Sequence, residues 1–319
     1  MDERGRIVDL SADAMRCRVR PPGPPAPVRG VAPPVAYDPR FGKVLTPGAV
    51  LLSLYDQGLF TEGPVWWPAG RMLVWSDIEG RRVFGWHPDG AVDVVVEATA
   101  FINGNALDAD GRLIHCEHGR RCISRTDGSG RTTPLVTRFE GKRLNSPNDL
   151  VLGPDGATWF TDPTYGLLNP RQGCPAAPEL DHRSVYRFHE PSGTLTRMAD
   201  LEMPNGLAFS PDGRTLYVSD TDLGRHHIVA FTVGADGALG ERRIFRVIEP
   251  GLPDGFKVDV RGWVWTSSGS GVQVFDADGE PLGIIPTPQA CTNLTFGGAD
   301  GPRLFITGGG SLWAIDLAG

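Results

Sequence analysis

The chain has 319 residues, a formal net charge of -7 and 40% hydrophobic residues, enough to bury a sizeable core as one large all-β domain or two ordinary ones. The acidic balance, with no basic run, argues against a nucleic-acid partner. No apolar stretch approaches the roughly 20 residues that a bilayer span needs, which argues against a membrane partner.

Five scattered cysteines, Cys17, Cys116, Cys122, Cys174 and Cys291, form no CxxC pair and read as free thiols in a reducing compartment. The N-terminus carries charges where a signal peptide needs an apolar core, so a cytoplasmic location is expected.

Residues 1–45 read as a Pro-rich tail, and residues 46–319 as the folded domain. Met15 could serve as an alternative start. The run Arg20-Pro21-Pro22-Gly23-Pro24-Pro25-Ala26-Pro27 suits neither helix nor sheet and is expected to be extended or disordered, as a tail or a strap across the surface. From about residue 46 the pattern is β. Ala49–Tyr55 is an apolar strand, followed by Pro64–Pro68, Arg71–Asp77, Arg81–His87 and Ala91–Glu97. Pro88-Asp89-Gly90 holds the Asp-Gly pair that favours a type I′ hairpin, in which both central residues take positive φ.

Units of this kind recur. Each begins with an oxygen-bearing side chain, Glu62, Asn103, Asn148, Asn205, Asp254 or Asn293, and continues as an apolar strand, a Gly-containing turn and a second strand. Their starts lie roughly 40–50 residues apart, the period of propeller blades. The longer third interval carries a Pro- and Gly-rich insert around Leu167–His182, expected as a loop over one face. The last unit has room for three strands only, Asn293–Phe296, Arg303–Thr307 and Ser311–Asp316. Pairing Ala49–Tyr55 with it removes two exposed edges. The expected fold is an all-β six-bladed propeller closed by its N-terminal strand.

In a ring of blades the six unit-starting side chains converge near the axis. Two carboxylates and four amides buried there without a partner would cost about 1–3 kcal/mol per unsatisfied group. Paired carboxylates would also repel. A hard divalent cation removes both costs. Carboxylate and amide oxygens suit Ca²⁺, with Mg²⁺ or Mn²⁺ able to substitute, and Zn²⁺ suits them less. Taken one unit at a time, Asn or Asp before Gly makes a turn; the recurrence at one position favours the ion.

At these residues the chain resembles the gluconolactonase branch of the SMP-30/gluconolactonase/LRE family of six-bladed propellers. The likeness runs from about Phe60 to the C-terminus. It is dense at Thr61-Glu62-Gly63-Pro64-Val65-Trp66, Cys116-Glu117-His118-Gly119, Gly141 through Asp149, Phe160-Thr161-Asp162-Pro163 and Pro204-Asn205-Gly206-Leu207.

The resemblance implies a Ca²⁺-type ion on Glu62, Asn148, Asn205 and Asp254, and hydrolysis of sugar lactones, usually glucono-1,5-lactone, as the small-molecule substrate. Asn103 matches a pocket-lining position, and Asn145 and His118 are placed with it as substrate-binding residues. Animal relatives carry an Arg two residues before the third-unit Asn, where this chain has Ser146, so that sugar contact does not carry over. Mechanistically, the metal would polarise the lactone carbonyl. Asp254 would activate water, with direct nucleophilic attack by its carboxylate as the other version. Asp149 would orient a ligand from behind.

Two other functions share parts of this pattern: a phosphotriesterase-like hydrolase, which needs the same ion and carboxylate, and a non-catalytic binding platform, which needs neither. His115-Cys116-Glu117-His118 looks like a zinc cluster, but on a strand His115 and His118 face opposite sides. Asp108-x-Asp110-Gly111 and Asp276-x-Asp278-Gly279 resemble the start of an EF-hand loop, lack its later ligands, and read as hairpin turns. Trp66, Trp75, Trp86, Trp159, Phe160, Phe209 and Trp265 are expected in inter-blade packing. The oligomeric state is open at this stage.

Overall fold

A computed structural model describes residues 18–319 other than residue 22; Met15 and Cys17 lie outside the described residues. Six antiparallel sheets ring an axis. Their innermost strands are Thr61–Trp67, Ile102–Leu107, Leu150–Leu152, Pro204–Phe209, Phe256–Val258 and Asn293–Gly297, in blades 1 to 6. Leu52–Tyr55 pairs with Ser311–Asp316 as the fourth strand of blade 6, with Leu312 opposite Tyr55 and Ala314 opposite Leu52. The ring therefore closes as the sequence predicts. No helix among the described residues is long and apolar enough to cross a membrane.

Second strands such as Met72–Asp77 are buried at every residue, because each blade is covered on both faces by its neighbours. The six hydrophobic clusters lie in the six gaps between blades. Trp75 and Phe84 of blade 1 meet Phe305 and Leu312 of blade 6, for example. The aromatic residues pack there as expected: Trp66 stacks on Phe305 with ring centroids 5.9 Å apart, and Trp159 meets Phe209 edge-on at 5.3 Å.

Two local expectations are corrected. The Pro-rich segment does form sheet. Arg18–Arg20 pairs with Val92–Val96 at the rim of blade 1, Ala26–Pro27 with Leu52–Tyr55 at the rim of blade 6, and Val35–Ala36 with Pro281–Pro286 at the rim of blade 5. Proline is tolerated there because an outermost strand need donate on one side only. The segment is a strap over three blade edges, pinned by Phe41, which is fully buried against Trp265 with ring centroids 5.8 Å apart.

The Pro88-Asp89-Gly90 turn is the second. Gly90 alone has positive φ, at 87°, and Asp89 instead accepts a 2.9 Å bond from Ala91 N. The Asp side chain caps the turn, and only the glycine takes the left-handed position. Asp108 and Asp276 cap their own turns in the same way, each accepting from the backbone N–H groups two and four residues on. The hairpin reading of both loops holds.

Candidate functional site

The unit-starting residues meet because the inner strands touch. Gly104 N donates to Asn148 O at 2.9 Å, Gly206 N to Asp254 O at 3.2 Å and Gly255 N to Thr292 O at 2.7 Å. A Cβ on Gly255 would lie 2.0 Å from Asn293 Cγ. Glycine after the polar residue thus serves close approach, and no turn is involved in blades 2, 4 and 5.

Hydroxyls at the ends of second strands fasten the same residues across blade boundaries. Ser76 Oγ donates to Asn103 O, Thr161 Oγ1 to Asn205 O and Ser219 Oγ to Asp254 O, at 2.7, 2.7 and 2.8 Å. The carboxylates that follow two of these hydroxyls, Asp77 and Asp220, accept from the backbone leading into their own blade's inner strand. Sequence reading missed these hydroxyl–carboxylate pairs. The recurring Ser76-Asp77, Thr161-Asp162 and Ser219-Asp220 is the signal that could have shown them.

The inner strands form the floor of a cavity of about 880 Å³, lined by Glu62, Asn103, His118, Asn148, Asn205 and Asp254 among others. Glu62 is 3% exposed. Its Oε2 accepts from Gly63 N at 2.7 Å and from Asn293 Nδ2 at 3.1 Å. The same amide reaches Asp149 Oδ2 at 3.3 Å, while Asn293 Oδ1 accepts from Leu294 N at 2.8 Å. Asn293 Nδ2 therefore bridges the Glu62 and Asp149 carboxylates. Asn293 lies behind the floor.

Asn145 is the residue the structure removes from the pocket. It is fully buried behind it, and its amide donates to Asp162 O and His182 O at 3.2 and 2.9 Å. It ties the end of the insert to blade 3. Ser146 has the same kind of role, donating to Pro163 O at 2.6 Å and accepting from Gly166 N at 3.0 Å. The insert does border the site, through Leu168 and Gln172. Tyr165, just ahead of it, also lines the cavity and is hydrogen-bonded to Thr221 of blade 4.

Electrostatics mark the floor. Burial, then Asp254 nearby, pushes the Glu62 carboxyl well above the usual range. Burial and the charge of Asp149 raise Asp254 to about 7, against a bond from Asn205. Burial lowers His118 to about 4. Its Nδ1 lies 2.8 Å from the Gln172 carbonyl and must donate to it, so Nε2 accepts from Asn103 Nδ2 at 3.3 Å. His115 is wholly separate, held between Asn105 and Thr126 at 2.6 Å each. That disposes of the zinc reading.

His118 should accordingly titrate near pH 4 instead of 6.5 and keep its proton on Nδ1 at neutral pH. Long-range proton–nitrogen NMR correlations read both, and a midpoint near the ordinary value would contradict this geometry. Because the folded pKa is depressed, its stabilising contribution is complete above about pH 6.5 and is lost as pH falls toward 4.

Comparison with known proteins places this architecture. The family model for the SMP-30/Gluconolactonase/LRE-like region matches residues 60–310. The chain belongs to this family. It is 32% identical over 296 residues to the gluconolactonase of Zymomonas mobilis, covering 85% of this chain and 82% of that one. It is 30% identical over 260 residues to pentonolactonase XacC of Haloferax volcanii, covering 78% and 81%. A solved gluconolactonase from Xanthomonas campestris superposes with a TM-score of 0.91 at 58% identity, over 95% of this chain and 100% of that one.

The floor fits a hard cation. Its donors are two carboxylates and two amides, and the carboxylates are pushed up by burial and by acidic neighbours, a push that a divalent cation reverses. Among the described residues no three His, Cys, Asp or Glu side chains gather as a metal cluster.

Proposed function

We propose that the chain hydrolyses sugar lactones of the glucono-1,5-lactone class, with a divalent cation, Ca²⁺ foremost, held by Glu62, Asn148, Asn205 and Asp254. The observation that carries this is the convergence of two carboxylates, each raised by burial and by an acidic neighbour, with amide side chains at the base of an open cavity. The relatives supply the substrate class, through the names gluconolactonase and pentonolactonase. A binding platform has no use for such a floor.

When bound, the ion supplies electrophilic polarisation of the lactone carbonyl and charge for the developing oxyanion. The chain's own residues do the rest. Asp254 keeps one face open to the cavity and takes a proton from water as the water oxygen adds to the carbonyl carbon. The ring C–O bond then breaks, and the ring oxygen leaves as a hydroxyl carrying that proton. Asn103, its nitrogen held by His118, lines the cavity and offers Oδ1 as an acceptor for a substrate hydroxyl.

Chelation tests the proposal. In a pH-indicator assay with glucono-1,5-lactone, EDTA should lower enzymatic turnover at least about tenfold and Ca²⁺ should restore it. Undiminished turnover in chelator would contradict the role of the ion.

A further inference from the structure

The cavity floor is polar, and its lining also carries large apolar side chains set among polar ones. Leu168 and Leu223 line the mouth at 70% and 81% exposure, large apolar side chains left to water beside a polar site. Leu168 ends the one-turn helix Tyr165–Leu168 and Leu223 lies on the loop after Asp220, and the Tyr165–Thr221 hydrogen bond joins the two segments. A second cavity of about 780 Å³ shares Leu223, Gly251 and Leu252 with the first and continues past Leu223 to Pro250. Among the described residues, that extension is lined by Leu223, Pro250, Gly251 and Leu252, with His226 and Glu249 as its polar side chains. Several polar groups of the same lining are engaged by the protein: Thr221 Oγ1 donates to Met203 O at 3.2 Å, Gln289 Nε2 to Gly308 O at 3.2 Å and Arg183 Nη2 to Glu202 Oε2 at 3.2 Å, while Asp222 Oδ2 accepts from Gly224 N at 3.1 Å.

We infer that the site also hydrolyses lactones bearing an unbranched aliphatic substituent, with the ring on the polar floor and the tail laid over Leu168, Leu223 and Leu252. Covering these leucines recovers apolar surface that a polyhydroxylated substrate leaves wet. A flexible tail matches the aliphatic lining better than a flat ring system would. The inference rests on the lactonase reading of the same floor. The chemistry is unchanged: one water adds to the acyl carbon, the ring C–O bond breaks, and the product is a hydroxy acid that releases its proton.

The test compares kcat/KM for δ-decalactone, which carries a pentyl tail, with tail-free δ-valerolactone, and includes glucono-1,5-lactone as reference. The decalactone should be favoured over valerolactone by at least about tenfold, equivalent to about 1.4 kcal/mol. Leu223→Ser and Leu168→Ser should each lower that ratio about threefold or more. Because a ratio is read within one preparation, partial misfolding of a variant cancels. Turnover of gluconolactone with no preference for the tailed lactone would overturn this inference and leave the sugar-lactone reading standing. A preference that both variants leave intact would overturn the placement of the tail. Failure to turn over any of the three lactones would overturn both readings.

Discussion

Asp254→Asn should lower lactone turnover by about 10²–10⁴-fold, the range typical of a lost general base, while the protein stays folded. Asparagine has the shape of aspartate and cannot take a proton from water. Folding should survive because the backbone at 254 is held independently of the side chain. Gly206 N and Ser219 Oγ bond its carbonyl at 3.2 and 2.8 Å, and its N–H donates to Ser267 Oγ at 2.8 Å.

The sign of the stability change follows from the raised pKa. A carboxyl whose folded value is about 7 instead of 3.8 loses stability as pH rises through that interval. Removing it relieves Glu62 as well. In chelator at neutral pH the variant should melt at or above the wild-type temperature. Full turnover by a folded variant would eliminate Asp254 as the base.

Gly63→Ala should be the most damaging single substitution on the inner strands, by about 3 kcal/mol or more, with lactonase activity lost alongside. A Cβ there would sit 2.3 Å from Asn103 O and 2.8 Å from Gly104 Cα, both backbone atoms that cannot rotate away, and φ is already 53°. Blade 1 would have to move off blade 2, carrying Glu62 with it. Gly111→Ala is the control. It has φ 75° and no atom within 4 Å, so only the conformational cost of about 1–2 kcal/mol applies. Chemical denaturation of both variants separates the two effects, and equal losses would show that inter-blade contact at Gly63 is unimportant.

Legibility in the sequence follows the range of the interactions. The closing strand was readable because an incomplete last unit and an orphan strand at residues 49–55 fit one another. The floor was readable because Glu62, Asn148, Asn205 and Asp254 each open a unit. The strap was read as one of two alternatives, but its strand pairing was not, since edge pairing by Arg18–Arg20, Ala26–Pro27 and Val35–Ala36 uses backbone groups that leave no side-chain pattern. Asn145 was misplaced because a short motif does not say which of its amides faces the cavity. The Asn293 bridge joins residues 231 and 144 positions apart, and no local reading reaches that far. The hydroxyls of Ser76, Thr161 and Ser219 act on the next blade, so their role appears only once the ring is closed.

The shared cation is the claim on which the rest stands, and calorimetric titration of chelator-stripped protein with Ca²⁺ tests it most directly. One ion should bind per chain, with binding lost in Glu62→Gln and in Asn148→Ala while both variants remain folded. Absence of a binding heat in the wild type, or affinity unchanged by those substitutions, would contradict it.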